Sequence, residues 1–342
     1  MQTRRWIYQA RPTAEFTPAC YRLETSDEDL DLVRGEVLVR GAYWSVDPCM
    51  RIQQSHGDTW EAPHPLESVQ GGAAVGQILE VVGPGVTTLA AGDWVECYWA
   101  GAATDGRRRR TVAAWIPRSC PFQPRCMSWG CPDGSPSSGC LRRADRVRGN
   151  ADRQRDGGVG SIVGQLGRLA GMRVVGIVGS EAKGRWIVDE LGFDAAINYR
   201  DHPDARSMQE ALAQRAPDGI DVYYDNTGGI TTDAVIQGIN LRARLIICGQ
   251  ISQYQGGLVE PALGPRLLQH FLYKRATMQG VLARDYTARM DEMLRRMGPW
   301  VRDGSIRYRE TIIEGFERLP EALCGLFTGA NVSKMMVAET DG

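Results

Sequence analysis

The run Gly157-Gly-Val-Gly-Ser161 constrains this chain more than any other feature. A helix-like stretch, Ile162 to Ala170, follows it, then the apolar run Val174-Val-Gly-Ile-Val178, of the kind that becomes a buried strand. Glycines let a backbone approach a pyrophosphate closely. A helix N-terminus presents free N–H groups and the positive end of a dipole. Glycine turn, helix and strand in that order make the second half of a nucleotide-binding βαβ unit. The first half should be an apolar strand. The chain instead reads Arg148-Gly-Asn-Ala-Asp-Arg-Gln-Arg-Asp156, a composition unsuited to a buried central strand.

Beyond the glycine run, helices and strands alternate. Helix-like Glu181–Leu191 precedes the strand Ala195–Asn198, and helix-like Ala205–Arg215 precedes Ile220–Tyr224. A helix after Gly229 leads to Ala243–Cys248, and the strand Thr277–Val281 leads to a long helix, Asp285–Val301. Alternation of this kind builds a doubly wound parallel sheet with helices on both faces, an α/β class. The N-terminal part differs. Glu36–Arg40, Ala74–Val82 and Asp93–Tyr98 read as short strands separated by Gly and Pro turns, suggesting a small β-barrel. The tail (strand Tyr308–Ile313, helix Leu319–Phe327, strand Lys334–Val337) is expected to return to that first domain.

A length of 342 residues fits two domains. A formal net charge of −1 argues against nucleic acid or an anionic membrane as the main partner. No apolar run reaches a membrane span, and no apolar leader opens the chain, so the expected location is cytoplasmic.

Residues 103–156 stand apart from both flanks. They hold twelve Arg, no Lys and four Cys, with no helical or strand period. Cys120, Cys126, Cys131 and Cys140 are too irregularly spaced, with no C-x-x-C pair, to read as a structural zinc site. One reading is a basic insertion, and another is a shifted reading frame. With the frame moved by two bases and GC-rich codons, residues 118–146 become apolar and helix-forming, ending near Leu-Ala-Phe-Phe-Gly-Leu-Leu-Glu-Ala. The hypothesis is therefore a frameshift from near residue 103 to near residue 156, which corrupts the first strand of the sheet and leaves the domain poorly stable. An uninterrupted gene frame, with no insertion or deletion nearby, rules it out.

The end of the strand Val174–Val178 bears on which dinucleotide binds. An NAD site usually has Asp or Glu there for the ribose hydroxyls. Here Ser180 ends the turn and Lys183 follows within one helical turn, a hydroxyl and a cation suited to a 2′-phosphate. NADP is expected. Ser180 can also cap the helix that begins at Glu181.

Taken together, these stretches resemble the zinc-independent medium-chain dehydrogenase/reductase superfamily. The likeness is to its alkenal/one oxidoreductase group, which includes prostaglandin reductases, leukotriene dehydrogenases and curcumin reductases. The resemblance rests on Ser45-Val-Asp-Pro-Cys-Met-Arg51, Val159-Gly-Ser161, Val174–Ser180, Asp221-Val-Tyr-Tyr-Asp-Asn226 with Gly228-Gly229, Cys248–Tyr254 and Gly329-Ala-Asn331. It implies a GroES-like barrel, residues 1–125 completed by 308–342, and a Rossmann NADP-binding domain, 126–307, with the active site between them. It implies NADPH-dependent reduction of the C=C bond of α,β-unsaturated ketones and aldehydes, without zinc, and a possible homodimer. Tyr254 and the cofactor's ribose hydroxyl would meet the charge on the carbonyl oxygen. Gly157, Gly158, Val159, Gly160 and Ser161 would cradle the pyrophosphate. Ser180, Lys183 and Tyr199 would hold the 2′-phosphate, and Asn226, Val281 and Asn331 the nicotinamide half. The alternative for Tyr254 is a structural loop tyrosine, and for Asn331 a turn residue after Gly329.

Three features depart from the pattern. Cys49 stands where the family usually has Tyr, Ser333 replaces a Gly after Asn331, and residues 103–156 should supply the first Rossmann strand. Zinc chemistry is disfavoured because Gly71-Gly-Ala-Ala74 stands where zinc relatives carry Gly-His-Glu; His56 and His64 read as surface residues. Other functions consistent with the sequence are an NADPH:quinone oxidoreductase, a non-enzymatic NADPH-binding protein of crystallin type, and a frameshifted product with no function.

Overall fold

A computed structural model describes residues 2–13, 15–27, 37–57, 59, 62–81, 89–99, 150–153, 157–256, 260 and 262–339. Contacts divide the chain into two compact units. One comprises Met1–Cys126, Thr311–Thr328 and Met335–Gly342, the other Met127–Glu310 and Gly329–Lys334.

The first unit is β-rich. It begins with β1 (Gln2–Tyr8), β2 (Tyr21–Asp27), β3 (Val37–Val46), the short α1 (Cys49–Ile52), β4 (Ser68–Val69), β5 (Gly72–Val81) and β6 (Trp94–Trp99). The second unit runs β7 (Asn150–Arg153), α2 (Gly157–Leu169), β8 (Val174–Val178), α3 (Glu181–Arg185), β9 (Ala195–Asn198), α4 (Ala205–Arg215), β10 (Ile220–Asp225), α5 (Ile230–Gln237), β11 (Ile239–Ile247), α6 (Leu268–Lys274), β12 (Thr277–Gly280) and α7 (Met290–Arg302). The chain then returns through β13 (Glu310–Glu314), α8 (Leu319–Thr328) and β14 (Lys334–Ala338). As the tail pattern predicts, β13 and β14 join β3, β5 and β6 in one sheet; β1, β2 and β4 form another. Tyr8, Phe16, Tyr21 and Val46 pack with Leu323 and Leu326 of α8 to make this unit's core.

The second unit is built on a parallel six-stranded sheet in the order β12-β11-β10-β7-β8-β9. Successive side chains of a strand point to opposite faces, and the tyrosine pair of β10 shows it. Tyr223 packs in one apolar layer with Met208 and Leu212 of α4 and Val235 of α5. Tyr224 packs in the other with Ile162 and Leu166 of α2 and Trp300 of α7. All five residues of β8 are buried, as its uninterrupted apolar run requires. Gly164 in α2 has a packing reason, because a Cβ there would collide with the Phe193 ring.

Two expectations are corrected. The stretch read as unable to form a central strand does form one: Ala151 pairs with Val175 of β8 on one side and Tyr223 of β10 on the other. Ladder bonds are made by backbone groups, which Asn, Ala, Asp and Arg carry as well as Val does, and strands on both sides define the slot. The instability expected from unpaired neighbours therefore loses its basis. Second, Gly157–Ser161 is not a turn before the helix, because α2 begins at Gly157. The rest of 103–156, including the frameshift reading and the cysteine cluster, lies outside the described residues. Smaller differences occur in two helices. The one expected over Glu181–Leu191 widens to a π turn at Trp186–Glu190, and α7 is preceded by a 3-10 turn, Ala283–Arg289.

Candidate functional site

In a parallel α/β sheet, ligands bind outside the carboxyl ends of the strands, where the strand order reverses. Here the order reverses at β7, with β8 and β9 to one side and β10, β11 and β12 to the other. Four of the residues expected to bind cofactor, and the expected catalytic Tyr254, follow those carboxyl ends. Ser180 follows β8, Tyr199 follows β9, Asn226 follows β10, Tyr254 follows β11 and Val281 follows β12.

The start of α2 comes first. Gly157, Gly158, Val159 and Gly160 form its opening turn, whose N–H groups have no intrahelical acceptor. Ser161 is fully buried and donates its hydroxyl to Gly158 O at 2.9 Å, so it acts within the helix. The segment before β14 lies against this terminus: a Cβ on Gly158 would sit 3.8 Å from the Lys334 Cα.

A cationic cradle follows β8 and β9. Ser180 caps α3, its Oγ accepting from the Lys183 N–H at 3.3 Å. The Lys183 side chain is buried, and its Nζ donates to Gly329 O at 3.2 Å. A Cβ on Gly329 would lie 3.5 Å from Arg200 Nη2 and 3.9 Å from Lys183 Nζ, so both cations reach one point. The Tyr199 ring edges the turn after β8, its hydroxyl 3.1 Å from where a Gly179 Cβ would stand. Sequence reasoning missed Arg200; the available signal was a cation directly after Tyr199.

Between β10 and β11 the backbone is closely stitched. The Asp225 carboxylate, 1% exposed, accepts from the Thr227 and Gly228 N–H groups at 2.8 and 2.9 Å and from the Thr232 hydroxyl. This fixes the turn that carries Asn226, with Gly228 and Gly229 at φ +69° and +70°. The Asn226 carbonyl accepts from Ile251 N at 3.1 Å. Tyr254 is 9% exposed, and its hydroxyl accepts from Gln250 N at 3.0 Å. A phenol that accepts one bond still carries a proton to donate. Gly249 brings the two together: a Cβ there would lie 3.2 Å from the Tyr254 hydroxyl and 3.1 Å from the Asn226 carbonyl. Val281 donates its N–H to Ile247 O at 2.9 Å, which ties the end of β12 to the end of β11.

Two side chains here fit an incoming polar ligand. Asn226 Nδ2 and Asn331 Oδ1 are buried with no hydrogen-bond partner among the described residues. Buried polar groups are normally paired, which makes these two atoms candidates for contact with a ligand. Among the described residues, no group of three or more His, Cys, Asp or Glu side chains is placed to hold a metal ion.

In the first unit, Cys49 opens α1 with a half-buried thiol that is in no disulfide. Ser45 and Met50 line an apolar cavity of about 80 Å³ with Trp6, Tyr21, Trp44 and Phe316. Burial pushes the Tyr8 phenol up to about 12 and the Arg51 guanidinium down. His56 is exposed, as read.

A glycine-opened helix at the switch point, with cations after the neighbouring strands, is the arrangement of a dinucleotide-binding domain. Comparison with known proteins agrees. Residues 4–104 match the family described as N-terminal domain of oxidoreductase, and residues 158–298 that described as zinc-binding dehydrogenase. NADPH-dependent curcumin reductase of Escherichia coli K12 is 34% identical over 346 residues, covering 98% of this chain and 96% of its own. Prostaglandin reductase 1 of Oryctolagus cuniculus is 32% identical over 317 residues, covering 89% of this chain and 84% of its own. Among solved structures, CurA of Vibrio vulnificus in complex with NADPH matches with a TM-score of 0.84 at 32% identity, covering 99% of this chain and 100% of that one. The chain therefore belongs to the zinc-independent medium-chain dehydrogenase/reductase family, in the group of the curcumin and prostaglandin reductases, and is an NADP-dependent oxidoreductase.

Proposed function

We propose that this protein reduces the carbon–carbon double bond of α,β-unsaturated ketones and aldehydes. Bound NADPH supplies a hydride to the β-carbon; the chain's own residues bind, orient and stabilise. The observation that carries the reading is the convergence of Lys183 Nζ and Arg200 Nη2 near Gly329, a cradle for a dianion such as a 2′-phosphate. Ser180 and Tyr199 flank it. The opening turn of α2, from Gly157 to Gly160, takes the pyrophosphate. Asn226, Asn331 and the backbone at Val281 hold the nicotinamide half. The Tyr254 hydroxyl donates toward the substrate oxygen as enolate charge develops there, and a solvent proton at the α-carbon completes the saturated carbonyl. Identity to curcumin and prostaglandin reductases over most of the chain supports this substrate class.

The test is steady-state turnover of a simple unhindered enone with NADPH, with product analysis. The expected product is the saturated ketone. Consumption of quinones with the enone untouched would replace the reading with a quinone oxidoreductase. Tight NADPH binding without turnover of either acceptor would favour a non-enzymatic binding protein.

We further propose a homodimer formed through the free edge of the parallel sheet. β12 is the outer strand, and all four of its residues are exposed. Met278 within it, and Leu268, Leu272 and Tyr273 of the preceding helix α6, are exposed at 45, 81, 73 and 70%. An exposed apolar edge is a liability unless covered. A two-fold axis beside β12 pairs it with its own copy, an isologous contact. Sedimentation is expected to give a dimer for the wild type and a monomer for Leu272→Glu. A monomeric wild type would remove the proposal.

A further inference from the structure

Ser333 lies in the segment that connects the two ends of the cofactor site. At one end of that segment Gly329 meets Lys183 and Arg200; at the other, Lys334 lies against Gly158 at the N-terminus of α2. Two features set Ser333 apart. Its φ is +62°, in the left-handed region where a side chain crowds the backbone. The other described non-glycine residues with positive φ, Glu67, Arg242 and Arg275, are exposed, whereas Ser333 is 1% exposed. Its Oγ is also buried with no hydrogen-bond partner among the described residues. Asn331, two residues before, donates its Nδ2 to Ser333 O at 2.7 Å and leaves its own Oδ1 unpaired among the described residues. Glycine at 333 would relieve both the backbone strain and the unpaired hydroxyl. Strain at one residue, with a buried hydroxyl unpaired among the described residues, opposes folding of the free protein, so their presence points to a partner that arrives with the ligand.

Resting on the NADPH reading above, we infer that the Ser333 hydroxyl is a cofactor ligand, donating to a phosphate oxygen of the dinucleotide pyrophosphate. A hydroxyl donating to an anionic oxygen makes a short, charge-assisted bond. The N–H groups that open α2, beside this segment, favour the same anion. Ser333 then adds affinity shared by NADPH and NADH, while Lys183 discriminates between them.

The experiment compares Ser333→Gly and Ser333→Ala with wild type. Each is titrated calorimetrically with NADPH, NADH and 2′-AMP, and the thermal midpoint of each free protein is recorded. Both variants are expected to bind NADPH and NADH about tenfold more weakly, a change of about 1.4 kcal/mol, with equal losses for the two cofactors. 2′-AMP carries the 2′-phosphate without a pyrophosphate, so its affinity should not change. Free Ser333→Gly is expected to melt about 2–4 °C above wild type. NADPH affinity of Ser333→Ala within twofold of wild type overturns the inference. So does an equal loss for 2′-AMP, which reports general damage to the site. A free Ser333→Gly midpoint below wild type also overturns it, because the hydroxyl then serves the fold. A flat NADPH titration of the wild type overturns the cofactor reading as well, and is recognised because no variant is needed to see it.

Discussion

Replacing Lys183 with alanine is expected to weaken NADPH binding roughly ten- to hundredfold and leave NADH nearly unchanged. The Lys183 ammonium is buried and shares a point near Gly329 with the Arg200 guanidinium. A hydrogen bond to a charged group contributes about 1.5–3 kcal/mol, and each 1.4 kcal/mol is about tenfold in affinity. In the proposed site this cation addresses only the 2′-phosphate, and NADH lacks that group. The fold should be little affected. Alanine keeps the backbone N–H that bonds Ser180 Oγ, so the cap of α3 survives. The Gly329 carbonyl loses one donor but is only half-buried and can bond water. Fluorescence titration with both cofactors reads the result directly. Equal losses for NADPH and NADH would place the role of Lys183 outside 2′-phosphate recognition.

Tyr254→Phe is expected to lower turnover of an enone roughly tenfold to a hundredfold, with NADPH affinity changed less than twofold. The substitution keeps the ring, so packing of this nearly buried residue survives. The hydroxyl lies beside Gly249 and the Asn226 carbonyl, at the carboxyl end of β11. Loss of a dominant oxyanion donor lowers turnover by about 3–4 kcal/mol, and sharing the charge with a second donor reduces that effect. A purely structural loop tyrosine predicts a different outcome. Gln250 N would lose its acceptor, lowering stability by about 1 kcal/mol, while kcat stays within twofold of wild type. Measuring kcat beside the thermal midpoint separates the two roles.

Much of the second unit was legible from local pattern. The apolar run of β8, the period of α4 and the short strand β9 appear where hydrophobic spacing put them, because burial on one or both faces is a local property of sequence. Ser180 both caps α3 and stands beside the cation expected with it. The positions that failed share a cause. β7 carries no strand signal, since Asn150, Ala151, Asp152 and Arg153 lack an apolar pattern, yet backbone bonding to β8 and β10 sets it in the middle of the sheet. Arg200 looks like any exposed charge until the Gly329 backbone is brought beside it from far along the chain. Ser333 reads as a small departure from a glycine until its φ and burial are known.

The sequence by itself determined the alternation of helices and strands after Gly157 and the dinucleotide class, because periodicity, glycine placement and charge are written locally. Only the tertiary structure decided which strand fills the switch point, that Lys183 and Arg200 converge beside Gly329, and that Tyr254 and Asn226 meet across Gly249. Those are consequences of backbone pairing between distant segments, which side-chain pattern does not encode.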